Sequence, residues 1–200
     1  MNKNLPYIPV NPRTGDERLH AGGRPLKETL LDYWRWSRSD LLGNTSRGVL
    51  AEFLVGSALR MTDKVRDEWA SYDLLTPSGI KVEVKNSAYL QSWQQKTFSR
   101  ISFDIAKKEG WDPRTNKIQP DRKRRADVYV FCLLAHQDQT TLDPLDLDQW
   151  EFFVLATCVL NEQCGEQKTI GLTSLQKLGP VAATYKELRQ TVERVAARTA

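Results

Sequence analysis

From position 80 the chain alternates apolar and polar residues, Ile80-Lys81-Val82-Glu83-Val84-Lys85, the two-residue period of a strand with one buried face. Residues 69–75 form a second strand-like stretch. Between the two lies Thr76-Pro77-Ser78-Gly79, whose Pro and Gly predict a turn and therefore a hairpin. Residues 101–105 alternate again, and residues 127–135 and 150–158 are apolar enough to predict buried strands. Helical spacing predicts four helices. The first starts at Pro25, reaches about 39 and offers Leu26, Leu30, Leu31, Tyr33 and Trp34 for packing; the second, 46–61, is capped by Asn44 or Thr45. A short helix follows at 173–178. A last one at 183–198 carries Leu188, Val192, Val195 and Ala196. Residues 1–24, with Pro6, Pro9, Pro12, Gly15, Gly22 and Gly23, read as an extended N-terminal arm, and 25–200 as one domain. This order predicts an α/β fold in which a mixed central sheet is flanked by helices.

The predicted hairpin has a chemical consequence. Lys81, Glu83 and Lys85 share one strand face, so an anion and a cation sit side by side there. Asp73, on the partner strand, comes beside Glu83, and the backbone carbonyl of Val84 adds an oxygen. Two carboxylates, one carbonyl and an ammonium suit a divalent cation with its waters, which is the chemistry of phosphodiester hydrolysis. The plainer alternative is the solvated face of an amphipathic strand, its charges pairing across the sheet. Glu52 lies in the apolar stretch 48–59, where a charge either snorkels to water or serves function.

Asp73, Glu83 and Lys85, with Glu52 on the preceding helix, resemble the PD-(D/E)xK signature of restriction-endonuclease-like nucleases. The resemblance spans residues 46–87, with weaker support to about 151. Tyr72 stands where that family often has proline. The resemblance implies a restriction-endonuclease-like mixed central sheet flanked by helices, with catalytic groups at one end. It implies a Mg²⁺-dependent endonuclease, with Mn²⁺ as a substitute, acting in restriction, defence or DNA processing. Asp73, Glu83 and Val84 would hold the metal. Glu52 would complete a second metal position or hold a metal-bound water. Lys85 would orient the nucleophile, assist its deprotonation or stabilise the charged transition state. Ser87, on the same strand face as Lys85, would touch the phosphate. Many such enzymes are dimers, which leaves a homodimer open.

Composition narrows the partners only mildly. The 200 residues carry a net charge of +4, 40% hydrophobic and 27% charged residues, compatible with a nucleic-acid partner, DNA before RNA. Arg122-Lys123-Arg124-Arg125 is a dense basic run in a predicted loop, read either as a phosphate-binding patch or as a solvated loop. Gln91 and Gln94, with Gln95, sit in a polar stretch that either reads backbone and bases or is simply solvated. Tyr33-Trp34-Arg35-Trp36-Ser37-Arg38 reads as a helix with Trp34 packed inward rather than as a stacking platform. Three cysteines without Cys-x-x-Cys spacing fit a reducing cytoplasm, Cys132 and Cys158 being expected as core thiols. No apolar run matches a membrane span, and neither zinc-ligand spacing nor a Walker A or dinucleotide fingerprint is present. The readings competing with a nuclease are a non-catalytic nucleic-acid-binding module of the same fold and a protein-interaction domain.

Overall fold

The computed structural model describes residues 5–198. The first four positions of the expected arm and the last two of the expected domain lie outside the described residues. The architecture is mixed α/β, as expected. After the arm, β1 (Arg18–Ala21) and β2 (Arg24–Thr29) form a small antiparallel ribbon, followed by α1 (Leu30–Arg38) and α2 (Asn44–Ala58). Next come β3 (Leu74–Leu75), β4 (Lys81–Ala88), β5 (Ser102–Asp104), β6 (Lys108–Asp112) and β7 (Lys117–Lys123). The chain then runs through β8 (Val128–Leu134), β9 (Trp150–Ala156), α3 (Thr157–Cys164), β10 (Thr169–Gly171), α4 (Leu172–Lys177), β11 (Val181–Ala183) and α5 (Leu188–Ala197).

The central sheet has five strands in the order β11-β9-β8-β4-β3, with β4 and β8 parallel and the other neighbours antiparallel. All seven residues of β8 are buried, because helices or loops cover both sheet faces. On one face, Val82, Val84, Val128, Val130 and Val154 pack against Leu54 and Val55 of α2 and Leu188 and Val192 of α5. On the other, Tyr129, Phe131 and Leu133 meet Phe103, Ile105, Leu160, Ile170 and Leu175. Phe103 and Phe131 touch edge to face, with centroids 5.1 Å apart.

Several predicted elements are corrected. The helix expected from Pro25 begins instead at Leu30. Gly22 and Gly23 have φ of 56° and 75°, the turn that closes a two-residue hairpin, so Pro25 falls in a ribbon strand. Thr29 then caps α1 by accepting from the Asp32 N–H, while the Asp32 carboxylate accepts from the Thr29 N–H. α1 buries none of its residues; Trp34 keeps 36% of its surface exposed rather than turning into the core. The strand expected over 69–75 shrinks to Leu74–Leu75, because residues 69–73 run as turns and bends and rejoin β4 only through the Asp73 N–H to the Val82 carbonyl. The predicted basic loop is largely the β6–β7 ribbon. Cys132 is buried as expected, whereas Cys158 lies on α3 and is exposed.

Candidate active site

The hairpin at β3–β4 exists as predicted. The Gly79 N–H donates to the Thr76 carbonyl (2.9 Å), and the Ile80 N–H donates to the Thr76 hydroxyl (2.9 Å). Gly79 has φ of 87°, which a side chain would strain. The Asp73 N–H donates to the Val82 carbonyl (3.0 Å), which places the Asp73 side chain just beyond the pairing edge of β4. There its Oδ2 accepts from the Val84 N–H at 2.6 Å. In a strand, one residue's N–H and C=O leave toward the same edge, so the Val84 carbonyl is directed to the Asp73 side as well.

Glu83 and Lys85 project from the other face of β4, beside Tyr129 and Asp104. The Lys85 ammonium donates to Glu83 Oε1 at 2.5 Å, and each side chain is only 15% exposed. This removes the solvated-strand alternative: the pair is enclosed, where charges are costly unless matched. Glu52 approaches from α2, on the opposite side of the sheet. Asp73, at the sheet edge, therefore lies within the electrostatic reach of both other carboxylates.

That arrangement raises the Asp73 pKa from the ordinary 3.8 to about 7. Burial is the main cause, followed by the negative charges of Glu83 and Glu52; the Val84 N–H and the Lys85 charge act the other way. At Lys85, burial pulls the pKa down, but Glu83, Asp73 and Asp104 outweigh it and leave it raised. The ammonium therefore stays protonated. Burial also pushes the neighbouring Tyr129 hydroxyl well above the usual range, with the Glu83 charge adding to the effect.

A cleft of about 1030 Å³ opens beside these groups. Glu52, Tyr72 and Asp73 line one side; Arg13, Lys64, Arg66 and Arg114 contribute cations around it. Glu52 is not free in it. Arg66 Nη2 donates to Glu52 Oε1 at 2.8 Å, its Nε donates to Oε2, and its Nη1 sits 3.1 Å from Glu68. Among the described residues, no group of three or more His, Cys, Asp or Glu side chains is assembled to hold a metal ion. Glu52 is paired with Arg66 and Glu83 with Lys85, whereas Asp73 has no salt bridge among the described residues.

A family model described as bacteriophage T4 endonuclease IV matches residues 27–174, most of the chain, including Glu52, Asp73, Glu83 and Lys85. The chain belongs to the bacteriophage T4 endonuclease IV family. It is thus a member of a nuclease family, and nucleic acid is the partner class that goes with it. Among curated proteins, none matches the chain. No helix among the described residues is long and apolar enough to cross a membrane.

In this member of the endonuclease IV family, the expected nucleic-acid contacts divide. Ser87 is buried, and its hydroxyl accepts from the Ser102 N–H at 3.4 Å, so it joins β4 to β5 rather than facing a phosphate. Gln91 accepts from Arg47 (2.9 Å) and donates to the Ala88 carbonyl (3.1 Å); it staples its own loop. Gln94 is exposed. Arg124 is 5% exposed and donates to the carbonyls of Ile105, Gly165 and Gln167, satisfying backbone oxygens around the end of α3. Arg125 pairs with Asp121 at 2.9 Å, its side chain also largely buried. Only Arg122 and Lys123 of the four remain on the surface.

The residues that sequence reasoning passed over are Arg66 and Asp104. Arg66 stands in a dense charged segment, Asp63 to Glu68, between the predicted helix and the predicted hairpin, with no pattern of its own to single it out. Asp104 lies on the face of β5 opposite buried Phe103, so alternation alone could have flagged its direction but not its proximity to Lys85.

Proposed function

We propose that this chain is a metal-dependent DNA endonuclease of the PD-(D/E)xK type, with Asp73, Glu83 and Lys85 as its catalytic set. The observation that carries the reading is the sheet-edge position of Asp73: a half-buried carboxylate within electrostatic reach of two others and of a lysine held in its charged form. Such an excess of negative charge favours a cation, and oxygen donors favour a hard one. Asp73 and Glu83, with the Val84 carbonyl, are few ligands for a protein cage but enough for Mg²⁺, which keeps several waters. Mn²⁺ accepts the same donors.

When bound, Mg²⁺ supplies Lewis-acid stabilisation of the phosphate and a more acidic water. The chain's own residues do the remainder. The Val84 N–H donates to Asp73 Oδ2 and so fixes the carboxylate, leaving its other oxygen for a ligand. Glu83 orients Lys85 through their 2.5 Å contact. Because its surroundings keep the Lys85 Nζ protonated, it acts as a donor to charge developing on the substrate rather than as a base. Arg13, Lys64 and Arg114 around the cleft match the charge of a phosphodiester backbone. DNA is preferred to RNA as substrate on the strength of the endonuclease family and the resemblance.

The test is cleavage of DNA and of RNA with and without Mg²⁺, using wild type, Asp73→Ala and Lys85→Ala. Lys85→Ala should lose about 10²–10³-fold in rate, the scale seen for removal of one charge-stabilising donor. A folded Lys85→Ala protein cutting at the wild-type rate would end the assignment.

A further inference from the structure

β4 ends at Ala88, three residues past Lys85 and so about 10 Å further along the strand. The loop that follows is closed on itself by its own side chains. Gln91, Gln95 and Ser99, at every fourth position, are half-buried, while the residues between them are exposed. The Gln91 N–H donates to Gln95 Oε1 (2.7 Å). Gln95 Nε2 donates to the Tyr89 carbonyl (3.2 Å) and to Ser99 Oγ (3.0 Å). The Ser99 N–H donates to the same Tyr89 carbonyl (2.9 Å), which brings the two ends of the loop together. The loop is also tied to α2 and to the turn before it. Buried Arg47 donates to Gln91 Oε1 (2.9 Å), and the Ser92 side chain hydrogen-bonds to Asp40, whose Oδ1 accepts from the N–H groups of Leu42 and Gly43.

The outward positions carry a different chemistry. Trp93 and Phe98 keep 57% and 51% of their surface exposed. Tyr89 braces the Phe98 ring edge to face, with centroids 6.1 Å apart. Lys96, between the two rings in sequence, and Arg100, just after them, are both exposed. From Val84 to Phe103 the chain has no acidic residue. A stapled loop has little conformational freedom left to lose on binding, so its rings are ready-made contact surfaces. Cations without neighbouring acids on the same segment complement a polyanion, and flat exposed rings complement bases. A protein's apolar pocket would use the rings but would leave the charge pattern without a role.

We propose that residues 89–100 form a nucleic-acid grip at the end of the strand that carries Glu83 and Lys85. Trp93 stacks on a base, Phe98 adds a second apolar surface, and Lys96 and Arg100 meet phosphates of the same strand. This rests on the nucleic-acid partner of the endonuclease family, whose match includes the whole loop, and needs neither the metal nor the catalytic set proposed above.

The experiment is binding of labelled single-stranded DNA and RNA oligonucleotides of one sequence to the full-length protein in chelator, read by fluorescence anisotropy over a range of salt. Trp93→Ala should weaken binding by about tenfold, the scale of one lost base stack, and leave the slope of log affinity against log salt unchanged. Lys96→Ala and Arg100→Ala should each reduce that slope by about 0.7. An abasic nucleotide moved along the oligonucleotide should find a position where wild type loses the same tenfold and Trp93→Ala loses little more. Thermal melts followed by circular dichroism establish that the variants are folded, and Trp93, on the surface, removes no core packing when replaced. Wild-type affinity in Trp93→Ala, an unchanged slope in both cation variants, or wild type binding neither oligonucleotide overturns the inference; the first of these leaves the rings to a protein partner. Failure here differs from failure of the proposed function. Mg²⁺-dependent cleavage with undiminished binding by Trp93→Ala sinks only the grip, whereas absent cleavage with weakened binding sinks only the catalytic reading.

Discussion

Replacing Asp73 with Asn should make the metal-free protein more stable at alkaline pH and leave it nearly unchanged at acid pH. The carboxyl has a pKa of about 7 in the folded chain against an ordinary 3.8. Below about pH 4 it carries its proton in both folded and unfolded states, and folding meets no penalty. As pH rises toward 7 the unfolded chain has already released that proton while the folded pocket still retains it, so stability falls across this window and levels off above it. Roughly three pH units at about 1.4 kcal/mol each set a ceiling of about 4 kcal/mol. Local relaxation and residual solvent bring the expected gain for Asn to about 2–3 kcal/mol. Asn keeps an oxygen to accept the Val84 N–H, so the strand-edge geometry survives. The assay is urea unfolding in chelator at about pH 4.5 and about pH 8.5, comparing midpoints at equal slopes. An Asn variant whose advantage is the same at both pH values would refute the reasoning, since ionising Asp73 in its buried, negatively charged surroundings would then not be what limits stability. Mg²⁺ should stabilise wild type at the higher pH and leave the Asn variant little changed, as mass action on a binding site requires.

Arg124→Ala should lower unfolding free energy by about 2–4 kcal/mol by stranding buried carbonyls, with no change in nucleic-acid affinity of the folded protein; weakened binding without destabilisation would contradict the interior role assigned to it. Converting both Arg122 and Lys123 to Glu should weaken DNA binding and reduce the slope of log affinity against log salt by about 2, if each meets a phosphate. An unaltered slope would leave the β7 surface outside the substrate path.

How much of this was legible beforehand varies with range along the chain. The hairpin was readable because its determinants are local: period-two alternation in β4, and Pro77 and Gly79 in the turn. The buried strands β8 and β9 announced themselves as apolar runs because the sheet is covered on both faces. Helix α2 was found near its true place, although its cap is Gly43 rather than Asn44 or Thr45. The ribbon before α1 escapes the sequence reading because Pro25 suits a helix start and Gly22-Gly23, a hairpin signal, falls in the stretch that reads as an extended arm. Side-chain destinations were the least readable. Four consecutive basic residues look alike in sequence, yet Arg124 reaches carbonyls around α3 and Arg125 reaches Asp121, since their directions depend on how distant elements pack. The same holds for Glu52, whose carboxylate finds Arg66 fourteen positions on, a partner that no local pattern could point to.

The parallel pairing of β4 with β8 has a bearing on how such an enzyme is made safely. Every residue from Glu83 to Ala88 takes its neighbour from a strand synthesised after the whole β5–β7 excursion. A ribosome that has just finished the motif has released Asp73, Glu83 and Lys85 into a chain with nothing to enclose them. Contacts so distant in sequence close late in folding. On the proposed function, nucleic acid near a translating ribosome is spared until the polypeptide has grown well beyond the proposed catalytic residues, a delay written into strand order rather than supplied by an inhibitor.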